Sequence, residues 1–323
     1  MSDAHLPYVF ILDWDGTIAG KVDFQSARYS MIKTMGRYGY KVIQKNIPDA
    51  FLPGQGLIRP GFSAFIKAMK EMYPHCAFFI YTASERQWAM QEIPWVEKSH
   101  GLQFQRPIFT REDCTVDSTG NYRKKLQNIW PRIVRTLNTR HGSNYSKSDK
   151  EKILKERTII IDNNAVYTDR QDRLMLCPDY HYMVFEDLLD GFPAHAFQHP
   201  VVQQQVLHLI NEGLVCPHSM SYHIPTHGEG GAKQVVKKDP MTHMAKQYEW
   251  YAQKCKMVVE HNRRYQHDIF WIYLKKLIQK NNLKVYTRSI LQQLQNAIWK
   301  RMRKLSMMVT SHATLTHQGG TRT

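Results

Sequence analysis

Two aspartates, Asp13 and Asp15, stand one residue apart directly after the apolar run 8–12, and Gly16 and Thr17 follow them. A run of this composition predicts a buried strand, which places both carboxylates at the carboxyl end of that strand. In open parallel sheets this edge is where ligands bind. Because a carboxylate is costly to bury without a partner, we expect a metal ion or a basic side chain close to the pair. The alternative for so short a motif is an ordinary Asp-Gly turn.

Later segments supply polar side chains with complementary chemistry. They are Thr82 and Ser84 after the run 77–81, the cations Arg123, Lys124 and Lys125, and Asp162, Asn163 and Asn164 after the run 158–161. A phosphate dianion can approach Asp13 only when Mg²⁺ and a lysine offset the charge repulsion. The carboxylate pair, the hydroxyls, the lysine and the second acidic cluster therefore make up a set of groups suited to phosphoryl transfer. With this context, a chance Asp-Gly turn is a poor explanation of the motif.

The elements that must position these side chains alternate along the first 225 residues. Each apolar run is apolar throughout, which is typical of strands buried on both faces of a parallel sheet. The predicted strands are 8–12, 77–81, 158–161 and 183–185, and the predicted helices are 26–38, 62–72, 86–93 and 123–138. We expect Arg59-Pro60-Gly61 to open the helix 62–72 and the polar segment 141–150 to be a surface loop. The sequence therefore predicts an α/β fold.

The ordered strings resemble the haloacid dehalogenase (HAD) superfamily of phosphohydrolases. Within it they are most similar to the FCP/SCP family, the phosphatases of the RNA polymerase II C-terminal domain. The strings that carry this closer resemblance are 59–61 (Arg-Pro-Gly), 79–84 (Phe-Ile-Tyr-Thr-Ala-Ser), 109–114 (Phe-Thr-Arg-Glu-Asp-Cys), 120–124 (Gly-Asn-Tyr-Arg-Lys) and 159–163 (Ile-Ile-Ile-Asp-Asn). The resemblance covers about residues 7–195. It implies a HAD-type Rossmann-like parallel sheet with helices on both faces.

Carried onto this chain, the resemblance implies a Mg²⁺-dependent phosphatase that forms an aspartyl-phosphate. Asp13 would be the nucleophile, and Asp15 would protonate the leaving oxygen and later activate a water molecule. Thr82 would bond the phosphoryl oxygens, and Lys124 would hold the phosphate and Asp13, with Lys125 as the alternative if the register shifts by one. The implied Mg²⁺ ligands are the Asp13 carboxylate, the backbone carbonyl of Asp15, Asp162 and Asn163. All these positions are filled, as an active enzyme requires.

Three departures from the family's usual pattern leave this chemistry intact and the substrate open. The family usually has Glu where Gly16 stands and Ser-Pro where Asn164 and Ala165 stand, and its cleft-forming segment is unlike residues 18–58. The leading hypothesis is a phosphatase of phosphoserine or phosphothreonine in proteins, including tails like the polymerase C-terminal domain. One alternative is a phosphatase of nucleic-acid 3′ ends or nucleotides. Another is a nucleic-acid-binding or assembly protein in which the phosphatase fold is secondary.

The positive charge of the chain is concentrated in its last third. The whole sequence has a net charge of +16, and residues 226–323 have 18 Lys and Arg against 5 Asp and Glu. We predict a phosphatase domain over 1–225, a linker over 226–240 and a basic, mainly α-helical domain over 241–323, with an amphipathic helix at 289–309 and a frayed tail. This asymmetry indicates RNA or DNA as the partner of residues 226–323. An acidic protein partner and a merely solvated helical face are the alternatives.

Other features exclude some classes of protein. No apolar run approaches the roughly 20 residues that span a bilayer, and the first residues lack the pattern of a signal peptide, so we expect no membrane partner. Five scattered cysteines without a CxxC pair predict a reducing, intracellular location in the nucleus or cytoplasm. Cys216, His218, His223 and His227 form a weak candidate zinc site, for which exposed loop histidines are the alternative. We expect Trp14 to pack in the core.

Overall fold

Three of the predicted apolar runs form strands of one sheet in the computed structural model, which describes residues 5–42, 47–220 and 240–318. The strands are β1 (Val9–Leu12), β2 (Ala77–Ile80), β3 (Thr115–Val116), β4 (Tyr122–Arg123), β5 (Thr158–Asp162) and β6 (Leu174–Leu176). Four of them form a parallel sheet in the order β2-β1-β5-β6, and β3 and β4 form a separate antiparallel pair. Every residue of β1, β2 and β5 is buried, which explains their continuous apolar composition.

The predicted strand 183–185 is wrong, and β6 is the fourth strand of the sheet instead. The backbone N–H of Met183 donates to the side-chain oxygen of Asn262 at 2.9 Å, and the Asn262 amide donates back to the Met183 carbonyl at 2.7 Å. The carbonyl of Val184 accepts a hydrogen bond from the Gln25 side chain at 3.0 Å. Side chains thus satisfy the backbone groups that a neighbouring strand would otherwise pair.

The helices are α1 (Asp23–Arg37), α2 (Phe62–Met72), α3 (Arg86–His100), α4 (Leu126–His141), α5 (Lys147–Glu156), α6 (Pro200–Asn211), α7 (Pro240–Asn262), α8 (Phe270–Lys280) and α9 (Arg288–Gln318). Helix α2 has the predicted bounds, and α3 extends beyond them. The predicted loop 141–150 is wrong from residue 147 onward because Ser146 and Asp149 form a capping box. In it the Asp149 N–H donates to Ser146 Oγ at 3.1 Å, and the Ser146 N–H donates to the Asp149 carboxylate at 3.0 Å.

Helices cover both faces of the sheet. On one face, Val9 and Ile11 of β1 belong to the same buried cluster as Ile129 of α4. On the other face, the ring of Phe10 meets Phe65 of α2 edge-on, with 5.9 Å between the ring centroids. Successive residues of β1 point to opposite faces, as strand geometry requires. This layered arrangement confirms the predicted α/β fold with helices on both faces.

The described residues form two compact units whose boundaries differ from the predicted domains. One unit contains residues 5–21, 51–182 and 264–318, and the other contains residues 22–42, 47–50, 183–220 and 240–263. Helices α8 and α9 therefore belong to the same unit as the sheet, whereas α7 belongs to the other unit. The predicted linker 226–240 lies outside the described residues, except for Pro240.

The apolar stripes of α8 and α9 explain why these helices join the unit that contains the sheet. The buried stripe residues are Phe270, Trp271, Leu274 and Ile278 of α8 and Leu291, Leu294 and Ile298 of α9. The basic residues Lys300, Arg301, Arg303 and Lys304 of α9 are exposed, as the predicted amphipathic pattern requires. Among the helices of the described ranges, none combines the length and the apolar character needed to cross a membrane.

Candidate active site

The register of the sheet brings the predicted chemical groups to one edge. Leu12 of β1 pairs with Ile80 of β2 on one side and with Ile161 of β5 on the other. The N–H of Asp13 donates to the Ile161 carbonyl at 2.9 Å, so the hydrogen-bonded ladder continues up to the aspartate. Asp13 and Asp162 therefore lie at the same level, at the carboxyl ends of adjacent strands.

Lys124 joins these two carboxylates. Its Nζ donates to Asp13 Oδ1 at 2.5 Å and to Asp162 Oδ2 at 2.7 Å. No more than 7% of any of the three side chains is exposed to solvent. The N–H of Lys124 donates to the Val166 carbonyl at 3.1 Å, which anchors its backbone beside the end of β5. The structure therefore places Lys124, and not Lys125, between the carboxylates.

Burial and the attraction between opposite charges have opposite effects on the pKa values of Asp13 and Lys124. The pKa of Asp13 is raised to about 7, first by burial and then by repulsion from Asp162, against the lowering effect of the Lys124 ammonium. Burial alone would lower the pKa of Lys124, but the attraction of Asp13 and Asp162 raises it above its ordinary value. The lysine is therefore an ammonium ion. When both aspartates are ionised, their negative charge exceeds the charge of the lysine by one.

Thr17 connects the cluster to Asn163. Its hydroxyl oxygen lies 3.1 Å from Asp13 Oδ2 and 3.1 Å from Asn163 Oδ1, and it accepts a hydrogen bond from the Asn163 N–H at 3.0 Å. The Asn163 side-chain amide donates to Asp179 Oδ1 at 2.8 Å. Together these contacts fix the side-chain oxygen of Asn163 beside the hydroxyl of Thr17.

Asp15 is half-buried and lies in a more open part of the site than Asp13. Its Oδ2 accepts hydrogen bonds from Thr82 Oγ1 at 3.0 Å and from Ser84 Oγ at 2.5 Å. The Ser84 N–H donates to Thr82 Oγ1 at 3.0 Å, so this hydroxyl is bonded on both sides. The resemblance implies a contact between Thr82 and phosphate, whereas here Thr82 orients Asp15. A carboxyl group that is oriented and partly exposed is suited to exchange protons with a substrate or with water.

A further carboxyl group near Asp15 is Glu92 of α3. It has no exposed surface and lies beside the indole nitrogens of Trp14 and Trp88. Burial raises the pKa of Glu92 well above its ordinary value, and the charge of Asp15 raises it further. Trp14 packs in the core as predicted, with its ring edge-on to Phe104 at 6.0 Å. Burial and the charge of Asp15 therefore both favour the neutral form of Glu92.

Gly16 adopts a backbone conformation that glycine favours, with a φ of +75°. A Cβ atom at this position would lie 2.5 Å from Asn163 Nδ2 and 3.3 Å from His181 Cε1. The space for a side chain is thus occupied by residues that border the site. This accounts for a glycine where the resembling family usually has Glu.

The donor atoms at this edge fit a divalent cation. Asp13, Asp162 and Asn163 offer side-chain oxygens, and the resemblance adds the backbone carbonyl of Asp15. Such a set of oxygen atoms suits Mg²⁺ better than zinc. Two carboxylates share the single ammonium of Lys124, and this arrangement is the observation that favours a cation here. Within the described ranges, no group of three or more His, Cys, Asp or Glu side chains could hold a metal. The oxygen set depends instead on two carboxylates, an amide and a carbonyl.

The candidate zinc site stays a prediction. Cys216 is buried, and His218 belongs to the described part of the chain. His223 and His227 lie outside it.

Sequence reasoning assigns no role to Thr17 and Asp179, and it names Ser84 only as one of the hydroxyls at a strand end. Thr17 and Ser84 bond the two aspartates, and Asp179 orients Asn163. Thr17 and Ser84 stand beside the predicted strand ends, and a hydroxyl at a strand end was the signal that could have identified them. Asp179 follows no predicted strand, and only the folded chain brings it to the site.

Comparison with known proteins gives one family and a small set of solved structures. The family model described as NLI interacting factor-like phosphatase matches residues 8–190, a range that includes every residue of the site. No curated protein matches the chain. One similar structure is that of Fcp1, an essential RNA polymerase II CTD phosphatase, with 13% identity and a TM-score of 0.34 over 89% of this chain and 70% of that chain. Another is an arginine-to-alanine variant of the fission yeast Fcp1 bound to beryllium fluoride, with 13% identity and a TM-score of 0.33 over 96% of this chain and 68% of that chain.

We predict that Lys124→Met destabilises the protein and that Lys125→Met, the matched control, does not. The first change leaves Asp13 and Asp162 buried without a cation, which costs about 3–5 kcal/mol of folding free energy. Burial already raises the pKa of Asp13 above its value in the unfolded chain, and loss of Lys124 raises it further. The folded protein then binds the proton more tightly than the unfolded chain, so the loss is smaller near about pH 5 than near about pH 8. Urea denaturation without added metal measures both variants, and equal stability near pH 8 would contradict the ion bridge.

Proposed function

Since the chain belongs to the NLI interacting factor-like phosphatase family, we propose that it hydrolyses phosphoserine or phosphothreonine in proteins, with Mg²⁺ as cofactor and an aspartyl-phosphate at Asp13. Membership of the family confirms the resemblance and makes the chain a phosphatase. The observation that supports the proposed mechanism most is the buried bridge from Lys124 to Asp13 and Asp162. It keeps a nucleophilic carboxylate next to a cation, so that a phosphate dianion can approach.

In the first half of the proposed reaction, an oxygen of Asp13 attacks the phosphorus atom. The O–P bond forms while the bond from phosphorus to the serine or threonine oxygen breaks, and Asp15 gives its proton to that leaving oxygen. Thr82 and Ser84 hold the Asp15 carboxyl group in place for this transfer. Lys124 offsets part of the negative charge on the phosphoryl oxygens.

In the second half, a water molecule attacks the phosphorus of the aspartyl-phosphate. Asp15, now a carboxylate, takes a proton from this water, and the bond between phosphorus and the Asp13 oxygen breaks. Inorganic phosphate leaves, and both aspartates return to their initial forms. When bound by Asp13, Asp162, Asn163 and the Asp15 carbonyl, Mg²⁺ would offset the phosphate charge.

Asp13→Asn should abolish turnover while the protein stays folded. The substitution preserves the shape of the side chain and removes the nucleophilic oxygen anion, so kcat for p-nitrophenyl phosphate should fall on the order of 10⁴-fold or more. Asp23→Asn, on the exposed first turn of α1, is the matched control and should keep full activity. Hydrolysis at a near-normal rate by a folded Asp13→Asn protein would rule out the proposed nucleophile.

Removal of divalent cations should also abolish turnover. Because the proposed ligands are all oxygen atoms, activity lost on treatment with EDTA should return with Mg²⁺ and not with zinc. Mg²⁺ should raise the midpoint of thermal unfolding of the wild-type protein and have no such effect on Asp162→Asn. Full activity in excess EDTA would show that the site works without a divalent cation.

The exposed basic residues of α9 support a second candidate, a phosphatase of nucleic-acid ends. Lys300, Arg301, Arg303 and Lys304 are exposed on a helix that belongs to the same compact unit as the site. Such side chains can bind phosphates with little sequence preference. The same four residues could equally bind an acidic segment of a phosphoprotein, so binding and turnover must be measured together.

For the leading proposal, a phosphoserine peptide should be hydrolysed faster than a 3′-phosphorylated oligonucleotide of equal charge. Residues 226–323 should also give the full chain an affinity for RNA or DNA that falls steeply with salt. Substitution of Lys300, Arg301, Arg303 and Lys304 by Gln should weaken this binding without changing hydrolysis of p-nitrophenyl phosphate. Faster turnover of the oligonucleotide would favour the second candidate. If the full chain binds no nucleic acid at about 50 mM salt, the basic residues serve a protein partner instead.

A further inference from the structure

Two groups of Thr17 form hydrogen bonds. Its side-chain hydroxyl contacts the proposed catalytic residues, and its backbone carbonyl contacts residues outside them. Its hydroxyl oxygen lies beside Asp13 and Asn163. Its backbone carbonyl accepts hydrogen bonds from Arg59 Nη1 at 3.4 Å and from Trp271 Nε1 at 3.3 Å. Thr17 has no exposed surface, so water cannot replace either donor. The backbone position from which the Thr17 hydroxyl reaches Asp13 thus depends on donors from distant parts of the chain.

Arg59 is held in place by Asp268, which lies 209 residues further along the chain. Arg59 Nε donates to Asp268 Oδ1 at 3.0 Å and Arg59 Nη2 donates to Asp268 Oδ2 at 2.8 Å, a two-pronged ion pair with almost no exposed surface. The guanidinium also lies over the ring of Phe270, 4.6 Å from its centroid. Asp268 Oδ1 accepts a further hydrogen bond from the Phe270 N–H at 3.0 Å, so the start of α8 fixes the carboxylate.

The position of Trp271 is determined by packing against helix α2. Its ring contacts those of Phe62 and Phe65 on α2, with centroid distances of 5.1 Å and 4.8 Å. The two helices approach so closely that a Cβ atom at Gly61 would lie 2.4 Å from Ile272 Cγ1, and Gly61 has a φ of +81°. The indole N–H therefore has little freedom to leave the Thr17 carbonyl.

We propose that Asp268 and Trp271 are positioning residues of the phosphatase site. Trp271 bonds the Thr17 carbonyl directly, and Asp268 bonds it through Arg59, so the segment from residue 264 onward sets the orientation of Asp13. This inference rests on the proposed role of Asp13 as the nucleophile. It makes the inner face of the C-terminal segment a part of the catalytic unit, whereas the sequence predicts a separate basic domain.

Trp271→Phe tests the direct contact, and Trp299→Phe is its matched control. Trp299 of α9 also donates from Nε1 to a backbone carbonyl at 3.3 Å, but its acceptor is Leu176 on the edge strand β6. Both changes keep an aromatic ring and remove one indole hydrogen bond. For Trp271→Phe we expect kcat for p-nitrophenyl phosphate to fall about tenfold or more with KM little changed, because the nucleophile is misplaced. The Mg²⁺ concentration needed to stabilise the protein against heat should rise, since Thr17 also orients Asn163.

For Trp299→Phe, which is only half-buried, we expect a smaller loss of thermal stability with normal kcat and a normal response to Mg²⁺. The proposal is overturned if Trp271→Phe matches Trp299→Phe in kcat and in its response to Mg²⁺. The proposed function fails separately if the wild-type protein does not hydrolyse phosphomonoesters or if Asp13→Asn remains active. In that case the response of Trp271→Phe to Mg²⁺ still decides whether Trp271 orients the site.

The ion pair is tested by a single and a double substitution in the full chain. Asp268→Asn leaves the Arg59 charge buried without a partner and should lower the stability strongly. Arg59→Met combined with Asp268→Leu removes both charges and should recover much of that stability. If the pair positions Thr17, kcat stays low in the double variant even though its stability recovers. If kcat recovers together with stability, the pair is merely structural and the proposed role of Asp268 is wrong.

Discussion

The burial of two carboxylates around one ammonium ion at the end of β1 is the constraint on which the rest of the site depends. In water, charges as close as those of Asp13, Lys124 and Asp162 would attract and repel only weakly, but in a buried site these forces are large. A small displacement therefore changes the charge balance that a phosphate or a cation meets. The parallel register of β2, β1 and β5 meets this requirement because it aligns the strand ends at one level.

The residues around this cluster hold one another in place through successive hydrogen bonds. Thr17 lies against Asp13, and the carbonyl of Thr17 lies against Arg59 and Trp271. A second buried ion pair, between Arg59 and Asp268, thus lies on the far side of Thr17 from the first. The C-terminal helices have two roles in this account. Their apolar faces and Asp268 support the site from within the unit, while their exposed lysines and arginines remain available to an anionic partner.

Asp13, Asp15, Thr82, Asp162 and Asn163 could be predicted from the sequence because they follow continuous apolar runs, and a parallel sheet collects the ends of such runs at one edge. Lys124 follows no such run, and its place between the carboxylates came from the resemblance. The strand 183–185 could not be judged correctly, since its backbone is satisfied by the side chains of Asn262 and Gln25, which have no local signature. The assignment of α8 and α9 to the unit of the sheet could not be predicted for a similar reason. An apolar stripe does not show whether a helix packs within its own domain or against the sheet. The ion pair of Asp268 with Arg59 has no local signature either, because the two residues are 209 positions apart. The capping box of Ser146 and Asp149 was missed although its spacing can be read from the sequence, because the polar composition of 141–150 led to the prediction of a loop.

If Asp13, held by Lys124, receives the phosphoryl group, that group can be located on the protein. Asp15→Asn should slow hydrolysis of the aspartyl-phosphate because no carboxylate remains to take a proton from water. The variant is mixed with p-nitrophenyl phosphate and Mg²⁺, quenched in acid and digested, and its peptides are mapped by mass spectrometry. The account predicts phosphate on the peptide that contains Asp13, removable by hydroxylamine as an acyl phosphate. A phosphorylated peptide without Asp13, or turnover with no phosphorylated protein at any time, would contradict it.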